Sequence, residues 1–180
     1  MIEIVGVLLA LFLLSALVLA LRRRGISAER RSRPRGLLGS ELVYMEKLFR
    51  TAHPFPLVAR VDRVYRRAGG SLVLVELKMR DASRVHETDL IQLSVQKIVI
   101  EAQTGEHVES KAFLSFASPT GKQAARAQSV RLFGTEEIVA LARRREAILA
   151  GRAEPTYARS VKACSGCAFR SECDRFADRR

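Results

Sequence analysis

The sequence predicts a mixed α/β fold, a sheet flanked by helices, preceded by a single transmembrane helix. The stretch after Gly36 alternates between helix-like and strand-like apolar patterns, in the order helix, two strands, helix, two strands, helix. The stretch from Ile4 to Leu21 is almost wholly apolar and is long enough to cross the hydrocarbon layer as a helix. We therefore expect one folded domain behind a membrane anchor.

Residues 1–21 are predicted to be that anchor. Glu3 precedes the apolar run and Arg22, Arg23 and Arg24 follow it, which is the reverse of the charge order in a cleavable signal peptide. Positive residues favour the cytoplasmic side of a membrane. We expect a single pass through the inner (cytoplasmic) membrane, with the N-terminus outside and the folded domain in the cytoplasm.

Residues 22–36 are rich in Arg, Ser, Gly and Pro and are predicted to form a basic juxtamembrane linker. The formal net charge of the chain is +12, and +7 of it lies after Gly36. A surplus of positive charge favours nucleic acid as a partner, because each neutralised phosphate releases condensed counterions. A basic domain beside anionic lipid headgroups is the alternative interpretation.

The predicted folded domain spans residues 37–160 and begins with a helix over Leu37 to Ala52, where large apolar residues fall at helical spacing. Two strands follow, with Gly69 and Gly70 supplying the tight reversal between them. The next helix ends at Gly105, a typical C-terminal cap. The predicted elements after the first helix are Leu57–Arg66, Ser71–Arg80, a helix over Glu87–Gln103, strands Val108–Ala117 and Ala127–Phe133, and a helix over Thr135–Leu149.

A candidate catalytic group lies on the predicted hairpin. Residues two apart in a strand share a face, so Glu76 and Lys78 project together. Gly69 is the midpoint between Asp62 and Glu76, so antiparallel pairing around it places Asp62 opposite Glu76. An ordinary cross-strand ion pair on a solvated sheet face is the alternative.

This group suits a hard divalent cation, which prefers oxygen ligands and keeps several waters. Asp62, Glu76 and the carbonyl of Leu77 are the predicted protein ligands of Mg²⁺ or Mn²⁺. Water bound to such a cation becomes more acidic, and Lys78 can orient it or stabilise charge that develops on a phosphate. The predicted reaction class is phosphodiester hydrolysis.

The order Asp62, then Glu76-Leu77-Lys78, then a helix containing Gln92, resembles the PD-(D/E)XK nuclease superfamily, and most of all its RecB-like branch. The resemblance implies a restriction-endonuclease-like core in which the acids bind metal and the lysine supports the nucleophile. It also implies that Gln92 belongs to a Gln-x-x-x-Tyr motif that shapes the active site. This chain departs from that motif, because Gln96 stands at the tyrosine position.

Many members of the superfamily also carry a glutamate or histidine on the first helix. Glu41 is the candidate for that role, with Glu46 the next choice. A solvated helix acid with no catalytic duty is the alternative for both residues.

The chain has three cysteines, and all lie within its last seventeen residues: Cys164, Cys167 and Cys173. Such clustering predicts a metal site in the tail, residues 161–180, and a reducing compartment. The spacing resembles the C-terminal triad of RecB-like nucleases that bind a 4Fe-4S cluster, although their fourth cysteine is absent from this chain. A Zn²⁺ site and an empty triad are the alternatives.

Together these features predict a membrane-anchored, Mg²⁺-dependent DNA nuclease, with RNA as the alternative substrate and a membrane or DNA-processing protein as a further partner. Two other classes stay open. One is a nucleic-acid-binding module with an inactive site, and the other is a membrane-linked scaffold for a protein partner.

Overall fold

The computed structural model describes residues 12–15, 17, 29–30, 32–80, 83–118, 126–157 and 161–173. The chain divides into two compact units, residues 1–139 and residues 140–180, and each is described by itself. The first unit contains the whole sheet.

A five-stranded sheet in the order β1-β2-β3-β4-β5 forms the centre of the first unit. Neighbouring strands are antiparallel except β3 and β4, which run parallel on either side of a helical crossover. The strands are β1 (Glu41–Thr51), β2 (Leu57–Arg66), β3 (Leu72–Met79), β4 (Lys111–Ala117) and β5 (Arg126–Arg131), and the crossover helix is α1 (Glu87–Thr104). The predicted mixed α/β fold is therefore confirmed.

The sheet buries a different cluster on each face. Helix α1 packs its apolar side against one face, and the main core includes Leu74, Leu93 and Ile100. A smaller cluster on the other face includes Tyr65 and Val75. Because side chains alternate along a strand, β3 contributes Leu74 to one cluster and Val75 to the other.

The predicted hairpin and the helix after it are confirmed within one or two residues at each end. The ladder of β2 and β3 runs from the pair Arg66 and Leu72 to the pair Arg63 and Val75. Gly105 caps α1 with a φ of 71°, a left-handed conformation that glycine adopts without a steric penalty.

The prediction of a helix over Leu37 to Ala52 is wrong, because most of this segment is the edge strand β1. Its apolar residues do match helical spacing, but they do not form one buried face: Phe49 is buried, whereas Leu38 and Met45 are exposed. The segment is rich in residues that favour strands, and it pairs with β2 over nearly its whole length. The strand therefore depends on a partner that local periodicity does not report.

Part of the predicted linker packs onto the sheet face opposite α1. The carboxylate of Glu29 is buried and accepts a hydrogen bond of 2.6 Å from the hydroxyl of Tyr65. Arg33 forms an ion pair with Glu29 and lies over the ring of Tyr65. A short 3-10 helix, Arg35–Leu37, follows and buries Leu37. These contacts join the segment before β1 to β2.

The predicted membrane anchor lies almost entirely outside the described residues. Residues 12–15 and 17 are described, all are helical, and their large apolar side chains are exposed. Among the helices that the structure describes, none has the length and apolar character needed to cross a bilayer.

The predicted helix Thr135–Leu149 is present as α2, and most of its residues belong to the second unit. That unit also contains a short helix, α3 (Val161–Ser165), followed by turns that carry the last two cysteines.

Candidate functional site

Strand β3 presents Glu76 and Lys78 to helix α1. The ammonium of Lys78 lies 3.0 Å from Oε1 of Glu76. Both side chains also contact Gln92 of α1. Val75 and Leu77 belong to the cluster on the other sheet face, as strand alternation requires.

Asp62 on β2 reaches the same part of β3. The ladder register would place it opposite Glu76, in agreement with the sequence prediction, but the backbone pairs end one residue earlier. Oδ2 of Asp62 instead accepts a hydrogen bond of 2.6 Å from the amide of Leu77. The side chain thus continues the contact between the strands where the backbone ladder stops.

Glu46 is the acid nearest in register to Asp62 on the neighbouring strand β1. It lies between the pairs that Met45 and Lys47 make with β2, and it has a φ of 51°. This φ is uncommon for a residue with a side chain and is often found at functional positions. The pKa of Asp62 is raised, first by the burial of its own carboxyl group and then by the negative charge of Glu46. A cation bound to Asp62 would counteract both effects, because it favours the ionised carboxylate.

The carboxylate of Glu76 is the centre of the group. It is only 4% exposed, so its charge needs nearby donors. Oε1 accepts hydrogen bonds from Lys78 and from the amide of Gln92, the latter at 2.6 Å. Oε2 accepts a hydrogen bond of 2.8 Å from the amide of Gln96. These bonds place the side chain of Gln92 beside Glu76 and Lys78.

A second buried acid, Asp89, lies on the other side of Lys78. Its Oδ1 is 3.5 Å from the ammonium of Lys78, and its Oδ2 is 2.6 Å from Nη2 of Arg80. Oδ2 also accepts a hydrogen bond from the backbone amide of His86, the residue that caps the start of α1. Asp89 therefore ties the helix N-terminus to the end of β3.

Sequence reasoning missed the roles of Asp89 and Gln96. Their spacing from Gln92 is three and four residues, so the three side chains share one helical face. That polar stripe could have identified them, because an acid and two amides beside an otherwise apolar face need partners.

The structure does not bring Glu41 to this group. Glu41 pairs with Arg66 at the far end of β2, four residues along the strand from Asp62. At the rise of a strand this separation is about 13 Å. Glu46, the second choice in the sequence, is the acid of β1 that lies beside Asp62.

Oxygen atoms of two neighbouring strands could hold a divalent cation here. Asp62 and Glu76 supply carboxylates, and the backbone between Glu76 and Lys78 supplies the carbonyl of Leu77. Within the described part of the chain, no hydrogen bond ends on Oδ1 of Asp62. The described residues contain no group of three or more His, Cys, Asp or Glu side chains placed to hold a metal. Two carboxylates and a carbonyl form a donor set that fits Mg²⁺, because this ion often takes one or two carboxylates and completes its shell with water and phosphate.

The three cysteines line one cavity of the second unit. Its volume is about 420 Å³, and its lining also includes Tyr157 and Glu172. No disulfide joins Cys164, Cys167 and Cys173, all of which lie in the described part of the tail. The described side chains do not gather into an iron–sulfur or zinc site.

We predict that Asp89→Asn lowers the free energy of unfolding by about 1–3 kcal/mol at neutral pH, because the buried amide loses the charge-assisted contacts with Arg80 and Lys78. Burial alone would raise the pKa of Asp89, but hydrogen bonds from Arg80 and the His86 amide outweigh burial and lower it. Because the pKa is lower in the folded protein, the Asp89 charge stabilises the fold fully at pH values above the ordinary carboxyl pKa of about 4. This stabilisation is lost as the pH falls below that value.

Urea unfolding from neutral pH down to about pH 3 checks this, because the difference between wild type and Asp89→Asn should shrink in the acid range. Glu87→Gln removes an exposed acid from the same helix turn and is the control. A difference that stays constant with pH would contradict the predicted role of the Asp89 charge.

The sequence matches the model of a known family. A sequence model of the PD-(D/E)XK nuclease superfamily matches residues 11–174. Among solved structures, the crystal structure of SSO0001 is 18% identical with a TM-score of 0.49, and the match covers 89% of this chain and 71% of that one. A protein of Eubacterium rectale to which exonuclease activity is ascribed is 13% identical with a TM-score of 0.44, over 85% of this chain and 58% of that one.

No curated protein matches the chain. The matched range of the superfamily model covers most of the sequence and contains Asp62, Glu76 and Lys78. The resemblance predicted from those residues is thus confirmed, and the chain belongs to the PD-(D/E)XK nuclease superfamily.

Proposed function

We propose that this protein is a divalent-cation-dependent nuclease that hydrolyses phosphodiester bonds in DNA. One observation carries the proposal: Asp62, Glu76 and Lys78 converge where β2 and β3 separate, with the Asp62 carboxylate on the Leu77 amide and the Lys78 ammonium 3.0 Å from Glu76. Two carboxylates and an ammonium in one small area suit a phosphate with its cation. Membership of the superfamily supports the same chemistry.

Asp62, Glu76 and the Leu77 carbonyl would hold Mg²⁺ or Mn²⁺. The cation would acidify a bound water and draw charge from the phosphate. Lys78 would stabilise the negative charge that grows on the phosphate during attack. Contacts with Glu76, Gln92 and Asp89 hold its ammonium in place for this role.

The net positive charge of the chain supports a nucleic-acid substrate. We propose DNA, and matched RNA oligonucleotides are the comparison in the assay.

We predict that Glu76→Gln lowers the rate of DNA cleavage by about 100-fold or more, because it removes a cation ligand without changing side-chain size. The assay uses labelled single- and double-stranded DNA, linear and circular, with Mg²⁺ or Mn²⁺. Glu87→Gln makes the same chemical change on an exposed helix position and should leave the rate unchanged.

Equal rates for wild type and Glu76→Gln would refute the proposed mechanism. Salt-dependent DNA binding by a wild-type chain that cleaves nothing would instead indicate an inactive nucleic-acid-binding module.

We also propose that the N-terminal segment anchors the protein as a single pass in the inner membrane, with the nuclease domain on the cytoplasmic side. The length of the apolar run and the arginines that follow it support the anchor. The exposed Phe12, Leu13 and Leu17 among the described helical residues agree with it.

We predict that the full chain fractionates with membranes and is released by detergent but not by high salt. The double variant Leu13→Arg with Leu17→Arg should move to the soluble fraction, because charge in the centre of a span is costly. Leu38→Arg changes an exposed leucine of the folded domain and should stay with the membrane. A soluble wild-type chain would contradict the anchor.

We propose that the cysteine triad binds an iron–sulfur cluster, with Zn²⁺ as the alternative metal. The Cys-x-x-Cys spacing and the shared cavity support a common metal.

We predict that anaerobically purified protein contains iron and sulfide, or else zinc, and that Cys167→Ser lowers the metal content. Ser165→Ala leaves all three thiols in place and is the control. Metal content that is unchanged in Cys167→Ser, or absent from the wild type, would contradict the proposal.

A further inference from the structure

Gln96 is a buried amide one helical turn beyond Gln92, with only 1% of its surface exposed. Its Nε2 donates a hydrogen bond of 2.8 Å to Oε2 of Glu76 and another of 3.0 Å to the backbone carbonyl of Arg60. A side-chain amide has two N–H donors, so each has a partner. One NH₂ group therefore connects α1 to both β2 and β3.

These two bonds lie where the strands need support. The backbone ladder between β2 and β3 ends at Arg63 and Val75, just before Asp62 and Glu76. The Arg60 carbonyl is two residues before Asp62 on β2, and Oε2 belongs to Glu76 on β3. Gln96 thus bridges the strands beside the two acids where their own ladder has stopped.

Gln96 also fixes the carboxylate of Glu76 itself. Lys78 and Gln92 both bond to Oε1, so these two contacts hold only one of the two carboxylate oxygens. The bond from Gln96 to Oε2 adds a fixed point on the other oxygen. Three donors from two elements then define the orientation of the carboxylate plane.

We propose that Gln96 is a positioning residue of the candidate cation site: it sets the orientation of the Glu76 carboxylate and its distance from Asp62. The inference rests on the proposed function, because it assigns Asp62 and Glu76 to one cation. In the Gln-x-x-x-Tyr pattern this position holds tyrosine, so in this chain a buried amide donor occupies that position.

Two substitutions separate the donor from the space it fills. Gln96→Met keeps the length of the side chain and removes both donors. Gln96→Glu keeps the shape but places a carboxylate against another carboxylate and a carbonyl, three acceptors with no hydrogen between them. Gln103 lies near the end of the same helix, is exposed, and only accepts a bond from the amide of Arg50. Gln103→Glu keeps that acceptor and adds the same charge, which makes it the matched control.

The experiment measures Mn²⁺ affinity by calorimetry without DNA, and kcat and KM for DNA cleavage over a range of Mn²⁺ concentrations. We expect Gln96→Met and Gln96→Glu to bind Mn²⁺ about 10–100-fold more weakly, the range typical for partners of metal ligands. Their kcat should fall while KM for DNA stays within about threefold of wild type, since Gln96 is buried away from the substrate. Added Mn²⁺ should restore part of the kcat of Gln96→Met, which it would not do for a general folding defect.

Thermal unfolding of each variant is measured in parallel. If Gln96→Met does not fold, Gln96→Asn replaces it, because it keeps the NH₂ group on a stem too short to reach both acceptors. The same loss of Mn²⁺ affinity is expected.

If Gln96→Met keeps the Mn²⁺ affinity and the kcat of the wild type, the inference is overturned and the proposed function stands. The same holds if Gln103→Glu loses as much Mn²⁺ affinity and kcat as the Gln96 variants. A wild-type chain that binds Mn²⁺ but cleaves no nucleic acid overturns the proposed function alone, and the affinities of the variants then decide the role of Gln96. A wild-type chain that binds no Mn²⁺ overturns both.

Discussion

The buried carboxylate of Glu76 constrains the rest of the site. An ionised group with 4% exposure is unfavourable unless donors replace its water, and here they come from Lys78, Gln92 and Gln96. The two glutamines reach this carboxylate only if α1 has one particular position along β3 and one particular rotation about its own axis. The apolar packing of Leu93 against the sheet requires the same rotation, so the polar and apolar contacts of α1 support one arrangement.

The elements that the sequence predicted well are those defined by local chemistry. The two glycines after β2, the alternation within β3 and the glycine after α1 each act within a few residues. Local periodicity predicts a helix for β1 because the identity of this strand depends on pairing with β2, whose partners lie between 6 (Thr51 and Leu57) and 25 residues (Glu41 and Arg66) further along the chain. The burial of Glu29 was also not predictable, because its partner Tyr65 is distant in sequence and the surrounding arginines suggest a solvated linker.

The site shows the same difference between features set by local sequence and features set by contacts between distant elements. The turn centred on Gly69 was enough to predict that Asp62 meets the residues around Glu76, and the Asp62–Leu77 contact agrees. Asp89 and Gln96 join the group through contacts between elements: their spacing in α1 marks a polar stripe, but it does not say which partners on β2 and β3 the stripe meets. Glu46 lies beside Asp62 only because its segment is a strand, so the mistaken helix favoured Glu41 instead.

The bond between Glu29 and Tyr65 has a consequence for the proposed membrane anchor, because it would limit how far the sheet domain can lie from the bilayer. It fixes the chain to β2, the strand of Asp62, only eight residues after Leu21, where the proposed anchor ends. Eight residues span at most about 30 Å when fully extended. Under the proposed anchoring, this short tether keeps the domain at the membrane surface. The DNA available for cleavage would be the DNA that passes close to the membrane.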